Sequence, residues 1–525
     1  MRPLQLGAAL LAANLLSAPG SARTADFAQF IAFGDSTLDT GYFRYNATGN
    51  AALDQAIAAA IADGAKGGFA GPGTMDSTLL ASRFGLDAAP FGAGGTNFAN
   101  GGAHTVTDVL GNVATVDQIR HYLTSVGDVA NPCGLYVVST GNNDLIWAQK
   151  QGAAWNAANP DYLGGLAASL APEVASLQAA GARVIVVPNS FMYAVLAGTG
   201  GELPASTVAV YEQLSTYNAA MWSRLTEAGV NFVPADMDSV FKYVVRHPAL
   251  FGFTPESVLS KNAPSHVSAV LTTRAMLTPE QERTYLFIDG AHVTTAGQQI
   301  EADYLYNLLT APSLVSLVAE SAVQNGLSRT AGLQAQIDRS GATRTAGSRN
   351  AWFAAGAHSL RLKNAPGFPR LSATPAGGTV GADYQTAHGL LVGTAITVGG
   401  QHQQFSTGGH CNQTDEAASL YIAYKSGRWW GDATATVGWL QDRIERPVPL
   451  GIFTDRNSAD TDGRSVALAL RGGREFQLGS ITTGPVVGAL FQQVHLDGFT
   501  ETGASGATAL AFGGQTRDAR IGQLG

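Results

Sequence analysis

Four polar side chains in the first 300 residues have the types and the order that acyl transfer requires. Ser36 follows a short apolar run, Asn143 follows another, and Asp289 stands three residues before His292. A serine hydroxyl needs a base to take its proton, and that base needs a third group to orient it. Each fragment is common by itself. The order Ser, Asn, Asp, His predicts a hydrolase with a serine nucleophile.

His292 is the candidate base because of its position relative to a carboxylate. Asp289 precedes it by three residues, on a turn that leads into a predicted helix. This spacing lets the carboxylate reach one ring nitrogen while the other faces Ser36, as in a Ser-His-Asp triad. A helix-capping Asp beside a surface His is the alternative. The other histidines of the region lack a carboxylate at that spacing: His104, His121, His247 and His266.

Three turns carry candidate donors for an oxyanion. Ser36 can offer its backbone N–H at the start of a helix, although a plain N-cap is the alternative role. The side-chain amide of Asn143 can donate to a developing negative charge, unless Asn143 only shapes its turn. A backbone N–H from the glycine-rich turn 97–102 would complete the hole. Two glycines in a loop are a weak signal when taken alone.

The elements that must position these residues alternate between strands and helices. Continuous apolar runs predict strands buried on both faces, as in a parallel sheet; they lie at 30–33, 135–139, 183–188 and 231–234. Long helical patterns lie between and after them, at 162–180, 206–228 and 294–309. This alternation predicts a doubly wound α/β domain. The turns after its strands then meet at one edge of the sheet.

Composition bounds the class of protein and its partners. The chain has 525 residues, too many for one ordinary domain. A net charge of −8 gives no reason to expect nucleic acid as a partner. The two cysteines, Cys133 and Cys411, are too few and too far apart for a disulfide framework or a metal cluster. The predicted chemistry requires no metal and no organic cofactor.

Residues 1–22 have the features of a cleaved signal peptide. Arg2 provides the positive start, residues 4–16 form a short apolar segment, and 20–22 offer small residues for cleavage after Ala22. An N-terminal helix is the alternative, but the run has no amphipathic period. No later segment has the roughly 20 apolar residues that a spanning helix needs. A membrane-bound form would therefore have to be a β-barrel.

The chain changes character after the α/β region, which we delimit as residues 23–311. Residues 312–348 carry one apolar helical stripe, which predicts a linker helix. Residues 349–525 contain segments of about ten residues that partly alternate in polarity, end near aromatic residues and are separated by Gly, Asp or Asn turns. This pattern is typical of an antiparallel transmembrane β-barrel. A soluble β-sandwich is the alternative. In the barrel, Leu420, Ile422 and Tyr424 would face lipid.

The blocks resemble those of the GDSL, or SGNH, hydrolase family over about residues 28–310. The matching motifs are Gly34-Asp35-Ser36 with Asp39, Asn97-Phe98-Ala99 with Gly101-Gly102, Gly141-Asn142-Asn143-Asp144, and Asp289 with His292. The resemblance implies Ser36 as nucleophile, Asp289 and His292 as its partners, and Ser36, Gly101 and Asn143 as oxyanion donors. Gly102 is the neighbouring alternative to Gly101. With the linker helix and barrel, the chain resembles an esterase of the autotransporter type.

The resemblance implies a serine esterase or lipase that acts on small-molecule or lipid esters at the bacterial cell surface and is held in the outer membrane by its barrel. Carbohydrate O-deacetylation and a non-catalytic surface adhesin are the alternatives. Four aromatic residues are candidates for an acyl site or for the core: Tyr42, Phe43, Trp147 and Trp155. About eight strand-length segments follow residue 350, and no aromatic residue ends the chain. Barrels of this type typically have 12 strands, so we expect an incomplete barrel.

Overall fold

The computed structural model describes residues 27–109, 111–191, 205–341, 345–363 and 368–525. The predicted signal peptide, residues 1–22, lies outside these ranges. The described chain forms an α/β domain, one long helix and a large antiparallel sheet. None of the helices in the described part of the chain has the length and apolar character that a membrane crossing requires.

The α/β domain is built on four parallel strands in the order β1-β2-β3-β4. They are β1 (Gln29–Gly34), β2 (Gly134–Ser139), β3 (Val184–Pro188) and β4 (Val233–Ala235). All six residues of β2 are buried. Such strands must be covered on both sides, and alternate residues enter two separate clusters: Phe30 and Leu135 pack on one face, while Ile31 and Tyr136 pack on the other. The predicted parallel sheet is confirmed.

Nine helices of the described chain belong to or cover this domain. They are α1 (Ala51–Ala62), α2 (Asp76–Arg83), α3 (Thr115–Ser125), α4 (Asn142–Gln151), α5 (Ala153–Ala158), α6 (Tyr162–Ala180), α7 (Ala205–Glu227), α8 (Met237–Arg246) and α9 (Gln281–Thr284). Short 3-10 turns lie at Tyr42–Arg44, Phe91–Ala93, Pro248–Phe251, Ser260–Asn262 and Ala269–Leu271. The predicted helix at 162–180 has the observed bounds.

One helix, α10 (Thr295–Gly341), joins the two halves of the molecule. The sequence suggested two helices, 294–309 and a linker helix within 312–348, but α10 continues through Pro312. A proline inside a helix costs about 3 kcal/mol or more, because it removes a hydrogen bond and crowds the preceding turn. Burial offsets this cost on both sides: Leu305 packs in the α/β domain, and Leu314 and Val318 pack against the C-terminal sheet.

The C-terminal region is an antiparallel sheet whose long strands are β5 (Arg349–Ala357), β8 (Ala376–Gln385), β9 (Leu390–Phe405), β10 (His410–Ser426), β11 (Trp429–Leu450), β12 (Phe453–Arg474), β15 (Val486–Leu496) and β19 (Gln515–Leu524). They pair in this order, with β5 and β19 at the edges. Short strands are β6 (Leu360–Leu362), β7 (Leu371–Ala373), β13 (Phe476–Leu478), β14 (Ile481–Thr483), β16 (Phe499–Thr500), β17 (Thr502–Gly503) and β18 (Ala511–Phe512).

The long strands present an apolar face outward and a mixed polar face to α10. Leu420 and Ile422 are 65% and 48% exposed, whereas Ser419 and Tyr421 between them are buried. The alternation predicted for this strand is confirmed. Helix α10 lies against the inner face, where Arg329 forms a buried ion pair with Asp415 and Arg471 bridges Asp338 and Asp432. An outward apolar face and an inward polar face are typical of strands that lipid surrounds.

Strands β11 and β12 are longer than the ten residues expected from the sequence, at 22 residues each. Their far ends form a hairpin whose tip enters the core of the α/β domain. Val448 and Leu450 are each 1% exposed and belong to its hydrophobic cluster, and the ring of Phe453 lies 5.0 Å from that of Phe251. The N–H of Gly451 donates to Asp303 Oδ2 over 2.8 Å. The two halves are therefore packed together as well as linked by α10.

Candidate active site

The predicted site residues lie on turns at the carboxyl edge of the parallel sheet. Ser36 follows β1, and Asn143 lies in the first turn of α4 directly after β2. The segment around Asn97 pairs with Ala32 of β1, so the glycine-rich turn lies beside the serine turn. His292 lies on the turn before α10. Parallel strands bring their carboxyl ends to one edge, so the topology gathers residues that are far apart in sequence.

Ser36, His292 and Asp289 form a continuous chain of hydrogen bonds. Ser36 Oγ lies 2.8 Å from His292 Nε2, and His292 Nδ1 lies 2.8 Å from Asp289 Oδ2. Both distances are within normal hydrogen-bonding range. Each ring nitrogen of the histidine thus has one partner residue, Ser36 on one side and Asp289 on the other. This arrangement can take a proton from Ser36 and stabilise the resulting imidazolium.

The carboxylate of Asp289 is held in its ionised form. Burial by itself would raise its pKa, but the charge of His292 and the hydrogen bonds that Asp289 accepts lower the pKa to about 2. Asp289 accepts backbone N–H groups from Ala291 and His292 on one oxygen, and from Ala269 on the other. These bonds fix the carboxylate in the orientation that the histidine requires.

Two of the predicted oxyanion donors lie where their N–H groups are available. No acceptor within the described ranges takes the backbone N–H of Ser36. Asn143 uses one amide hydrogen on the carbonyl oxygen of Ala103, with Nδ2 and O 3.0 Å apart. An asparagine amide has two donors, so this contact orients the group and leaves its second hydrogen.

The third predicted donor lies on the turn that contains Gly101 and Gly102. The N–H of Gly101 donates to Asp39 Oδ2 over 2.8 Å, so it already has an anionic partner. The next residue, Gly102, has a positive φ of 83°, which turns the backbone. Among the described residues, no acceptor takes its N–H. Gly102, the alternative in the sequence analysis, therefore offers the unoccupied donor.

Two glycines are required by close approaches in the site. A Cβ on Gly34 would lie 1.9 Å from the carbonyl oxygen of Ser139, so the turn into Ser36 depends on the absence of a side chain. A Cβ on Gly101 would lie 1.9 Å from the ring of Phe69. That ring also packs on the imidazole of His292, with centroids 4.8 Å apart. Phe69 thus fills the space between the base and the glycine turn.

The aromatic residues considered for the acyl site form two groups on partly exposed surface. Trp147 and Trp155 pack against each other and against Tyr162, with ring centroids 4.9 to 5.4 Å apart. Trp147 is 37% exposed. Tyr42 and Phe43 pack edge to face at 5.2 Å. None of these four candidates is fully buried.

Sequence reasoning missed three residues that shape the site. Asp39 and Asp144 lie within the sequence motifs, but the sequence analysis assigned them no function. A carboxylate next to such a turn could have been expected to accept hydrogen bonds from backbone N–H groups. Asp144 Oδ1 lies 3.0 Å from Nδ1 of His104, a histidine that the sequence analysis rejected as the base. Phe69 carries no local pattern, because its two contacts are both distant in the chain.

Comparison with known proteins assigns each half of the chain to a family. Residues 30–305, more than half of the chain, match the model of the GDSL-like lipase/acylhydrolase family. The chain belongs to this family. Members of this family are carboxylic ester hydrolases, and this is the enzyme class of the chain. Residues 351–525 match the autotransporter β-domain, which associates with the outer membrane and serves export to the cell surface.

Three curated proteins are similar in sequence to this GDSL-family chain. Esterase EstA from Pseudomonas aeruginosa is 28% identical, over 98% of this chain and 83% of that protein. Lipase 1 from Photorhabdus luminescens is 23% identical, over 85% and 76%. An uncharacterised protein from Pseudomonas putida is 28% identical over 74% of this chain, which spans 65% of that relative's length. The translocator domain of the autotransporter NalP from Neisseria meningitidis is similar with a TM-score of 0.33 and 14% identity, over 40% of this chain and 70% of that one.

Proposed function

We propose that the α/β domain hydrolyses carboxylic acyl esters at the bacterial cell surface through a Ser36-His292-Asp289 triad. The observation that carries this proposal is the pair of 2.8 Å contacts that join Ser36 Oγ to His292 Nε2 and His292 Nδ1 to Asp289. A binding module without turnover has no need for a serine, a base and a carboxylate in this alignment. The non-catalytic adhesin is therefore the weaker hypothesis.

The reaction proceeds in two halves. Ser36 Oγ attacks the acyl carbonyl while His292 Nε2 takes its proton, and the imidazolium then protonates the departing alcohol. Water enters, loses a proton to His292 and attacks the acyl-serine, which releases the carboxylic acid and restores the hydroxyl. Asp289 holds the ring and stabilises its charged form throughout. These steps use side chains and water of the site alone.

We assign the oxyanion hole to the N–H groups of Ser36 and Gly102 and to the amide of Asn143. Gly102 replaces Gly101 because Gly101 already donates to Asp39. Donors of this kind act on the charge that develops in the tetrahedral intermediate, and loss of one donor costs about 10² to 10³ in turnover. The proposal predicts that a tetrahedral analogue, such as a phosphonate bound to Ser36, accepts hydrogen bonds from all three groups through its oxygen.

A labelled alkyl phosphonate tests the nucleophile directly. Wild-type protein should be modified at Ser36 and lose esterase activity in proportion, and Ser36→Ala should be neither labelled nor active. Ser169→Ala, on an exposed turn of α6 where the hydroxyl bonds the helix backbone, is the matched control and should label normally. Labelling of the Ser36→Ala protein at another serine, with activity retained, would refute the assignment.

The substrate class is tested by comparing acyl chains with sugars. We propose short- to medium-chain acyl esters or lysophospholipids, and expect hydrolysis of p-nitrophenyl esters to vary with chain length. Faster hydrolysis of acetylated sugars than of any simple acyl ester would favour the carbohydrate O-acetylesterase alternative. Absence of turnover on both series, with no phosphonate labelling, would favour the adhesin.

We also propose that the exported protein begins after Ala22 and is held at the cell surface by its C-terminal sheet. The support is the signal-like composition of residues 1–22 together with the autotransporter β-domain match. N-terminal sequencing of protein from the outer membrane fraction should begin at Arg23. A protein that retains Met1 in that fraction would contradict cleavage.

A further inference from the structure

The segment from Gly101 to Thr105 is held at both ends by buried carboxylates from other elements. At one end, Gly101 N–H donates to Asp39 Oδ2 over 2.8 Å. At the other, Thr105 donates both its N–H and its hydroxyl to Asp144 Oδ2, each over 2.8 Å. Asp39 and Asp144 are 0% and 1% exposed. The bonds span 62 and 39 residues of sequence, so they join separate turns.

This segment contains the parts of the site that depend most on exact placement. Gly102, whose N–H faces no protein acceptor among the described residues, lies between the two held ends. Ala103 supplies the carbonyl oxygen that orients the amide of Asn143. Two of the three proposed oxyanion donors therefore take their positions from residues 101–105. An oxyanion donor is effective only when its N–H points at the developing charge before the reaction starts.

The two carboxylates are costly to bury, which argues that their bonds matter. A buried carboxylate is stable only if several donors replace its lost water. Asp39 accepts the N–H groups of Gly41 and Tyr42 on Oδ1 and that of Gly101 on Oδ2. Hydrogen bonds to a charged acceptor are stronger than those between neutral groups. A simple turn-forming role for Asp39 would be satisfied by Oδ1 alone.

We propose that Asp39 and Asp144 are positioning residues for the oxyanion hole, which together hold residues 101–105 against the nucleophile turn and the Asn143 turn. Neither carboxylate is assigned contact with substrate. The inference rests on the proposed function, since it concerns the same hole. The two carboxylates would fix the positions of three separate turns relative to one another.

The protonation of Asp39 supports this role and provides a readout. Burial raises its pKa to about 6, against the lowering effects of its three backbone donors and of the charge on His292. Tyr42 is the other titratable group on which Asp39 acts. Below about pH 6 the carboxyl group gains a proton and loses the charge that holds Gly101. Turnover should then fall, because Gly101 is no longer held by a charged acceptor.

Asp39→Asn is the most direct test because it changes one bond selectively. If the amide oxygen keeps the Oδ1 position, it still accepts from Gly41 and Tyr42, while the NH₂ group faces the N–H of Gly101 as donor against donor. We expect kcat to fall about 10- to 100-fold, less than the loss of a whole oxyanion donor. KM should stay within about threefold, since the hole binds the transition state more strongly than the substrate.

Two further variants separate positioning from folding. Thr105→Val removes the hydroxyl bond to Asp144 at nearly constant volume, together with the 3.3 Å contact of that hydroxyl with Thr140 Oγ1. We expect a smaller loss in kcat with KM unchanged. Asp54→Asn is the matched control, because Asp54 also accepts a backbone N–H, from Thr48 before α1, but lies outside the site. It should retain wild-type kcat. All variants should keep the wild-type far-UV circular dichroism spectrum.

The pH dependence of kcat gives the decisive comparison. The ratio of the wild-type kcat to the Asp39→Asn kcat should fall below about pH 6, because only the wild type can lose the charge on residue 39. A ratio that does not change with pH, or a wild-type kcat for Asp39→Asn, would overturn the positioning role. If Ser36→Ala retained turnover, the proposed function itself would fail. If Ser36→Ala were inactive and Asp39→Asn normal, only the positioning inference would fail.

Discussion

The α/β domain and the C-terminal sheet use strands in opposite ways. In the α/β domain, β2 is buried along its whole length, and polar side chains of the candidate site begin where the strand ends. In the C-terminal sheet, β10 exposes Leu420 and Ile422 and buries Ser419. The difference shows that strand polarity depends on what covers each face. Helices cover both faces of the first sheet, whereas the outer face of the second is suited to lipid.

The β11–β12 hairpin departs from this contrast at its tip. Lower in β11, Val437 and Trp439 are exposed, 46% and 56%, on the outward face. At the far end, Val448 and Leu450 are buried among residues of the α/β domain. A single strand therefore exposes apolar side chains at one end and buries them in a protein core at the other. The two halves are therefore joined by hydrophobic packing as well as by helix α10.

The largest expected effect tests whether all the chemistry lies in the α/β domain. Ser36→Ala and His292→Ala should each lower kcat by about 10⁴-fold or more, and the double variant should be little worse, because triad members act as a unit. Asp289→Asn should be less damaging. Steady-state kinetics on a p-nitrophenyl ester would measure this.

His121 provides a control for the loss of an imidazole. It packs against Phe91 and Phe98, away from the triad, so His121→Gln should keep kcat near the wild-type value. A tenth of wild-type turnover in Ser36→Ala, or additive losses in the double variant, would break the assignment of the triad.

The second effect tests the packing between the halves. Leu450→Ala should lower the free energy of unfolding of the α/β domain by about 2 to 5 kcal/mol, because it opens a cavity at a position 1% exposed. Ile452, two residues away and 77% exposed, is the matched control. Ile452→Ala should change the free energy of unfolding by less than about 0.5 kcal/mol. The urea concentration that halves esterase activity in the full chain would measure both. Equal midpoints would show that the hairpin tip does not support the domain.

The third effect tests the outward face. Ile422→Arg should destabilise the sheet in lipid vesicles by about 2 to 4 kcal/mol if this position lies near the middle of the bilayer. Thr414 lies on the same exposed face of β10, nearer its His410 end. Thr414→Arg should therefore destabilise the sheet much less. Urea titration of both proteins in vesicles would compare them. Similar costs at the two positions would show that Ile422 does not lie deeper in the bilayer than Thr414.

The smallest expected effect concerns turnover in the separated α/β domain. A protein of residues 27–311 contains every proposed site residue, so its kcat should stay within about threefold of the full chain. Its urea midpoint should be lower, since it lacks Val448, Leu450 and Phe453. A folded but inactive fragment would show that the C-terminal region contributes to the site and that the two regions cannot be treated separately.

Much of the fold was readable from local patterns. Apolar runs predicted the four parallel strands, and a long helical pattern predicted α6. Residue types and order predicted Ser36, Asp289 and His292, which the structure brings into contact. These features depend on residues that are neighbours in sequence or on the topology of parallel strands. Each of these can be recognised from residue type and spacing.

The sequence by itself determined which residues are available for chemistry and which faces of the strands are apolar, because these follow from residue type and periodicity. Only the tertiary structure decided that the N–H of Gly101 donates to Asp39, whereas that of Gly102 has no acceptor among the described residues. It also decided that α10 passes through Pro312 and that Gly451 bonds Asp303, 148 residues away. Such outcomes depend on which distant groups pack together, and the free energy of that packing is not encoded in any local pattern.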